Sequence, residues 1–326
     1  VTTFVAALNS ALSDSMKADS RVLLMGEDVG DLGGVFRVTD GLMAQFGEER
    51  VMNTPISEST LVGAAIGLAM GGFRPVVEMQ FDSFVYPGFA QITWHLSRFR
   101  YRSRGQMSMP VVIRVPYGGN IGAAEHHSDS PEVYFVPTPG LKVFTPSTPS
   151  QGYALLREAI EDDDPVIFFE PKHDYWMKEE CELTVRAPGA PSARIAGVGS
   201  DLTLVGYGPT VKLCLAVRDY FAAEGVDLEV LDLFKLNPLD VDLLIGSVKK
   251  TGRLVVVHEA PVFGGFGGEL VARVVADCFA QLKAPPVRVG AMSTPYPAAS
   301  LEHEYLPGVD RIVDAVDQSL RYGVDA

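Results

Sequence analysis

The run STLVGAAIGLAMGGFRPVVEM, Ser59 to Met79, shows the alternation that carries the architecture. Ser59 to Met70 is small and apolar, free of proline, and about three helical turns long. Gly71-Gly72 stops it, and Pro75 to Met79 is an apolar run of strand length. The same alternation extends outward. Upstream, Thr3 to Ala18 is an amphipathic helix with Phe4, Ala7, Leu8, Ala11, Leu12 and Met16 on one face, followed by a strand over Arg21 to Met25. Downstream, the pattern predicts a helix over Tyr86 to Tyr101 and a strand over Val111 to Val115 that runs into the glycine-rich loop Tyr117 to Gly122. A helix over Ser150 to Ile160 and a strand over Pro165 to Phe169 complete the half. Helices between apolar strands of about four to six residues give an α/β fold with a mostly parallel sheet.

Lys178 to Ser200 breaks the pattern, with Pro188, Gly189 and Pro191 close together, and reads as an edge segment plus linker. The alternation then restarts. Strands are expected over Asp201 to Val205, Leu228 to Leu231, Arg253 to Val257 and Val287 to Val289. Helices are expected over Val211 to Ala223, Val241 to Lys249, Gly268 to Phe279 and Arg311 to Tyr322. The division is therefore a first domain over 1–185, a linker over 186–200 and a smaller α/β domain over 201–326.

Composition excludes several classes. The 326 residues are 47% hydrophobic and 21% charged, an ordered globular balance. With 27 basic and 41 acidic side chains the net charge is −14, which argues against nucleic acid or an anionic membrane as the main partner. Arg98, Arg100, Arg102 and Arg104 form a local basic exception. Leu61 to Met70 falls far short of the roughly 20 apolar residues of a membrane span. No basic region precedes an apolar core near Val1, so no signal peptide is expected. Cys181, Cys214 and Cys278 lie too far apart for a zinc ribbon or disulfide framework, and a reduced, cytoplasmic protein is expected.

The residues with chemistry lie in loops and at element ends. Gly264-Gly265-Phe266-Gly267-Gly268 lacks the GxGxxG spacing and a P-loop lysine, and reads as a tight strand-to-helix turn. In Glu125-His126-His127-Ser128-Asp129, adjacent histidines suit a metal poorly, and a contiguous Ser-His-Asp triad is sterically awkward. One imidazole acting beside a substrate competes there with a plain loop histidine. His258-Glu259 shares only two letters with HExxH, so zinc is discounted. Glu27 and Asp28 follow the first strand, and Glu58 begins the Ser59 helix. A lone Glu58 would be a helix-capping acid. Two glutamates on the sheet rim stand where α/β proteins bind ligands. Gly63, Gly67 and Gly71 give that helix a small-residue face, for a neighbouring subunit or for packing within the chain.

At Thr54-Pro55-Ile56-Ser57-Glu58 the chain resembles the E1 β subunits of 2-oxo acid dehydrogenase complexes. Gly26-Glu27-Asp28, Glu78-Met79-Gln80-Phe81, His127-Ser128, Phe168 to Lys172 and Thr251 to Pro261 extend the resemblance over essentially the whole chain. Phe168 to Lys172 and Thr251 to Pro261 look most like the branched-chain enzyme. Gly34 to Thr39 and Glu125 to Pro131 look most like its bacterial forms. The resemblance implies a thiamine diphosphate pyrimidine-binding domain followed by a transketolase C-terminal domain. It places Glu58 against N1′ of the aminopyrimidine as the catalytic acid–base group. It also places Glu27, Ile56, Gln80 and Phe84 around the cofactor. His127 is then the substrate-side catalytic histidine that helps pass the acyl group to lipoyl-lysine, with His126 as the competing choice. The GDG…N motif that holds diphosphate and Mg²⁺ in such enzymes has no Gly-Asp-Gly here. The E1 α subunit would hold that end, in an α2β2 heterotetramer with a second β subunit. An E2 lipoyl acyltransferase would dock on the C-terminal domain. A structural K⁺ would take backbone oxygens of Val111, Val112, Ala159, Asp162 and Asp164.

The function implied is oxidative decarboxylation of a branched-chain 2-oxo acid, of the 3-methyl-2-oxobutanoate type. A pyruvate or acetoin dehydrogenase β subunit is the nearest rival, since one or two methylenes separate the substrates. A non-catalytic assembly subunit that binds the E2 core is the alternative of another class. A nucleotide-binding oxidoreductase is a third, disfavoured by the glycine spacing.

Overall fold

The computed structural model describes residues 1–187 and 189–323; Pro188 of the linker and 324–326 at the end of the second domain lie outside the described residues. The chain forms two compact units. The first is Val1–Tyr117 with Tyr134–Ala190, the second Gly118–Val133 with Pro191–Ala326.

In the first unit, α1 (Phe4–Ala18) starts where the Thr3 hydroxyl accepts the Ala6 N–H at 3.2 Å. All six residues of the apolar face read from the sequence are buried, with Val5, Ser13 and Ser15 beside them. That face packs on α3 (Pro149–Glu161), where Gly152 lets Phe4 and Leu8 approach closely. Each such buried side chain is worth about 1.5–3 kcal/mol. The strands are β1 (Val22–Gly26), β2 (Val51–Asn53), β3 (Arg74–Glu78), β4 (Val112–Tyr117), β5 (Lys142–Phe144) and β6 (Val166–Pro171). They run parallel in the order β5-β6-β4-β3-β1-β2. The chain leaves β1 to add β2 on one side. It then returns through α2 (Glu58–Met70) to add β3 on the other. The carboxyl ends of β1 and β3 thus flank a topological switch point, the usual place for a ligand in such sheets.

In the second unit the strands are β7 (Arg194–Gly197), β8 (Leu202–Gly206), β9 (Leu228–Asp232), β10 (Leu254–Pro261) and β11 (Val287–Ala291). Their order is β11-β10-β8-β9-β7, parallel except for β7 against β9. The helices are α4 (Val211–Ala222), α5 (Val241–Thr251), α6 (Gly267–Cys278) and α7 (Val309–Arg321). Leu204, Val230, Val255, Phe221, Ile312 and Val316 lie in one buried cluster of this core.

Two readings are corrected. Tyr86 to Tyr101 is not one helix but 3₁₀ (Asp82–Gly88), π (Gln91–His95), 3₁₀ (Leu96–Arg98) and a short α turn (Phe99–Arg102). Pro87 and Gly88 account for the break near its start, because proline donates no N–H and glycine is a weak helix former. The short strands β2 and β5 had too few residues to show a period. Residues 118–133 fall within 1–185 by sequence position and lie in the second of the two compact units. No helix among the described residues is long and apolar enough to cross a membrane.

Candidate active site

The switch point gathers most of the expected cofactor residues. Glu27 directly follows β1, Glu58 opens α2, and Gln80 lies two residues past β3. The loop after β1 is pinned to the loop after β2. The Gly30 N–H donates to Asn53 Oδ1 at 2.8 Å, and the Thr54 N–H donates to the Gly26 carbonyl at 2.9 Å. Glu27 and Glu58 are close enough to interact. Partial burial pushes the Glu27 carboxyl up, and the charges of Glu58 and Asp28 add to this. Both glutamates are half-buried. Among the described residues neither has a salt-bridge partner. The Gln80 amide donates to Asp28 Oδ2 at 3.2 Å. Phe84 meets Phe81 edge to face at 5.9 Å, and Phe81 meets Phe36 likewise at 5.4 Å. Ile56 stands in the loop before α2 with 82% of its surface exposed. Two carboxylates, an amide, an aromatic wall and a solvent-facing isoleucine fit a flat, polar-edged heteroaromatic ring.

Behind this edge lies a charged layer that sequence reasoning missed. Arg114 of β4 is fully buried. Its Nε donates to Glu170 Oε1 at 2.6 Å and its Nη2 to Glu170 Oε2 at 2.8 Å, while Nη1 donates to Glu78. The Tyr175 hydroxyl adds a bond to Glu170 Oε2 at 2.7 Å. Lys172 and Asp82, both buried, pair at 2.7 Å. Burial pushes the Glu78 carboxyl up against the opposing pull of Arg114, and the flanking carboxylates hold Arg114 charged. The signal was present: a charge sits within or at the end of each apolar strand in PVVE, VIRV and VIFFE.

His127 lies on the Gly118–Val133 segment of the second unit. Gly118, Asn120, Gly122 and His126 all have left-handed backbone there, with φ of +86°, +63°, +75° and +73°. For Asn120 and His126 this costs about 1 kcal/mol or more each. His126 is exposed and His127 half-buried. Glu132 at the end of the segment is buried and accepts the Tyr207 hydroxyl at 2.7 Å. Burial raises its carboxyl to about 7, and Glu259 contributes in the same direction. Tyr207 stacks on buried His258 with 6.2 Å between ring centroids. His258 explains the glycine-rich turn: a Cβ at Gly265 or Gly267 would stand 2.6 or 2.8 Å from its ring atoms. Its pKa falls to about 4 through burial, and its Nδ1 bonds the Ala260 carbonyl at 2.8 Å.

At the expected K⁺ position two of the backbone oxygens and two side-chain carboxylates already serve other groups. Arg74 donates to the Asp162 carbonyl at 3.0 Å, and the Val166 N–H donates to the Val111 carbonyl at 3.0 Å. Lys142 reaches Asp162 Oδ2 at 2.6 Å and Asp164 Oδ2 at 3.4 Å. On α2, Gly63 and Gly67 face open space, with no described residue packed against them.

Comparison with known proteins gives the family and the fold. Residues 2–177 match the transketolase pyrimidine binding domain and residues 192–312 the transketolase C-terminal domain. The chain is 50% identical to the pyruvate dehydrogenase E1 component subunit beta of Leifsonia xyli, over 98% of this chain and 94% of that one. It is 48% identical to the 3-methyl-2-oxobutanoate dehydrogenase subunit beta of Mycobacterium tuberculosis, over 98% and 92%. It is 42% identical to the 2-oxoisovalerate dehydrogenase subunit beta of Pseudomonas aeruginosa, over 95% and 92%. Among solved structures, a split-gene transketolase described as an inactive β4 tetramer superposes with a TM-score of 0.77 at 25% identity, covering 96% of this chain and 97% of that one.

Proposed function

The chain belongs to the transketolase-like E1 β subunits of 2-oxo acid dehydrogenases, and from that membership we propose that it forms half of a thiamine diphosphate site that decarboxylates a branched-chain 2-oxo acid. The observation that supports this most is the Glu27–Glu58 pair at the switch point, two interacting carboxylates with no cation of their own. When bound, thiamine diphosphate supplies the carbon nucleophile and the electron sink for loss of CO₂. Glu58 moves a proton to and from ring atom N1′, a transfer that needs a positioned acid–base group. Glu27 keeps that proton on the ring side by resisting a second negative charge beside Glu58. Gln80 orients the polar edge of the ring, and Phe84 and Ile56 cover its faces. His127 serves the acyl transfer to the lipoyl group of E2.

The diphosphate and Mg²⁺ fall to an E1 α subunit, because this chain has no Gly-Asp-Gly. We assign the small-residue face of α2 to a neighbouring subunit of an α2β2 assembly, and the second domain to E2. The same reading places the protein in a bacterial cytoplasm. A K⁺ at Val111, Val112, Ala159, Asp162 and Asp164 is the part the geometry favours least, since Arg74 already serves the Asp162 carbonyl and the Val166 N–H the Val111 carbonyl.

The identity to a pyruvate enzyme subunit keeps pyruvate as a second substrate reading. The test is decarboxylation with thiamine diphosphate, Mg²⁺ and an artificial electron acceptor, by this chain alone and with its α partner. Activity only with the partner, and faster on 3-methyl-2-oxobutanoate than on pyruvate, is expected. Preference for pyruvate would keep the mechanism and overturn the substrate. Activity of the chain alone would overturn the half-site.

A further inference from the structure

The segment from Gly118 to Val133 has four left-handed residues within nine positions, and one of them, His126, directly precedes His127. A backbone of this kind persists when its surroundings over-determine it. Here the surroundings are side chains of the second domain, gripping backbone N–H groups. Glu259 Oε2 accepts the Gly119 N–H at 3.4 Å. The Tyr296 hydroxyl accepts the Asn120 N–H at 3.1 Å and donates to Glu302 Oε1 at 2.7 Å. Glu302 Oε2 then accepts the Gly122 N–H at 3.1 Å. At two positions any side chain larger than glycine would have to push the clamp aside. A Cβ at Gly119 would stand 2.1 Å from the Tyr296 hydroxyl, and one at Gly118 2.4 Å from Glu259 Oε2. The far end of the segment is fastened by Glu132 on Tyr207 at 2.7 Å. Tyr296 and Glu302 are buried, and Tyr305 packs edge to face on the Tyr296 ring at 4.9 Å, so the clamp is itself braced.

We propose that Tyr296 and Glu302, with Glu259 and the Glu132–Tyr207 pair, are positioning residues that hold the His127 segment in its working backbone conformation. The second domain, otherwise remote in sequence from the carboxylate chemistry, thereby sets the acyl-transfer step. The proposal rests on the reading that His127 serves that step.

The closing experiment uses the reconstituted α/β enzyme and two acceptors, an artificial electron acceptor and a free lipoyl domain. Tyr296→Phe keeps the ring and removes the bridging hydroxyl. Lipoyl-dependent kcat is expected to fall about tenfold to a hundredfold, as for a misplaced catalytic group. KM for the 2-oxo acid and turnover with the artificial acceptor should change by less than threefold, which separates loss of acyl transfer from loss of substrate binding or decarboxylation. Hydrogen exchange in peptides spanning 118–130 should quicken. Glu302→Ala should do the same, and Glu302→Gln should partly restore both readouts. Combining Tyr296→Phe with His127→Gln should cost no more than His127→Gln alone.

Faster exchange with intact lipoyl transfer in Tyr296→Phe, while His127→Gln blocks transfer, would overturn the positioning role and spare the His127 assignment. Additive losses in the double variant would overturn it as well. If His127→Gln leaves lipoyl transfer intact, the His127 assignment falls and the clamp's link to the reaction falls with it. Unchanged exchange in both Tyr296→Phe and Glu302→Ala would show that the clamp does not hold the segment.

Discussion

Glu78 and Glu170 lie in strands of the first unit's sheet and Glu27 and Glu58 at element ends on its rim, yet the two pairs are built in opposite ways. Glu78 and Glu170 are buried and close on the guanidinium of Arg114, with Tyr175 completing the bonds of Glu170. Glu27 and Glu58 are half-buried, repel each other electrostatically, and have no salt-bridge partner among the described residues. A buried carboxylate without a cation costs several kcal/mol, so the inner pair must be compensated. The outer pair is left short of compensation because solvent shares the cost, and because a paired carboxylate would be a poor proton carrier. One sheet edge thus holds charge that fixes the strand ends and charge that is free to react. Removing the inner cation should cost stability, whereas removing an outer carboxylate should cost activity.

The largest effect should come from Glu58→Gln in the assembled enzyme, with kcat falling by about 10²–10⁴. Subunit assembly and melting temperature should stay unchanged. A loss below tenfold in the artificial-acceptor assay would reduce Glu58 to a first-turn helix acid and break the contrast. The inner pair answers to Arg114→Met, which should lower stability by about 3–5 kcal/mol in chemical denaturation. That deficit should be smaller at pH 5 than at pH 8. Burial already pushes the Glu78 carboxyl up, and without the opposing pull of Arg114 Glu78 favours the neutral form in the folded state, so stability is lost as pH rises. Equal deficits at both pH values would mean that packing, not charge, is what Arg114 supplies.

Glu27→Gln sharpens the comparison because its two effects have opposite signs. Turnover should fall, by less than in Glu58→Gln, since the proton carrier remains. Stability should rise at alkaline pH. Burial and the neighbouring charge of Glu58 raise the Glu27 carboxyl in the folded state. The folded state therefore prefers the neutral form, and the stability it gains from that form in acid is lost as pH rises through the raised value. Glutamine stays neutral throughout, so the melting temperature of the variant should exceed that of the wild type at pH 8 and match it near pH 5.

What could be read from the sequence divides along the same physical lines. The alternation of apolar strands with helices such as Thr3 to Ala18 and Ser59 to Met70 is periodic, and it gave the α/β class and most elements. The rim carboxylates were visible as Glu27 and Glu58 at element ends, but only the resemblance assigned them roles. Three things were hidden for specific reasons. Strands β2 and β5 are too short to show a period. Arg114 joins Glu78 and Glu170 across residues 36 and 56 positions away, a separation no local window spans. The grip of Tyr296 and Glu302 on the His127 segment joins residues 176 and 180 positions apart and acts on backbone N–H groups, which every residue but proline carries. The glycines of GGN and IGA in that loop marked a tight turn and left its clamp unseen.

Glu132 carries the comparison into the second unit and gives the smallest effect. It is buried like Glu78 but has no guanidinium; its contact is the Tyr207 hydroxyl, with Glu259 adding negative charge and His258 lying beyond Tyr207. Burial moves its carboxyl from 4.5 to about 7. Below about pH 4.5 both folded and unfolded chains hold the proton. Between that and about pH 7 only the folded chain does, so the stability associated with neutral Glu132 declines across this window. Glu132→Gln retains an acceptor for Tyr207 and cannot ionise. Its melting temperature relative to the wild type should therefore climb by about 2–4 °C between pH 5 and pH 8. A flat difference would mean that Glu132 ionises in the fold as easily as in the unfolded chain. The rule that an uncompensated carboxylate needs solvent would then hold at the first unit's edge alone.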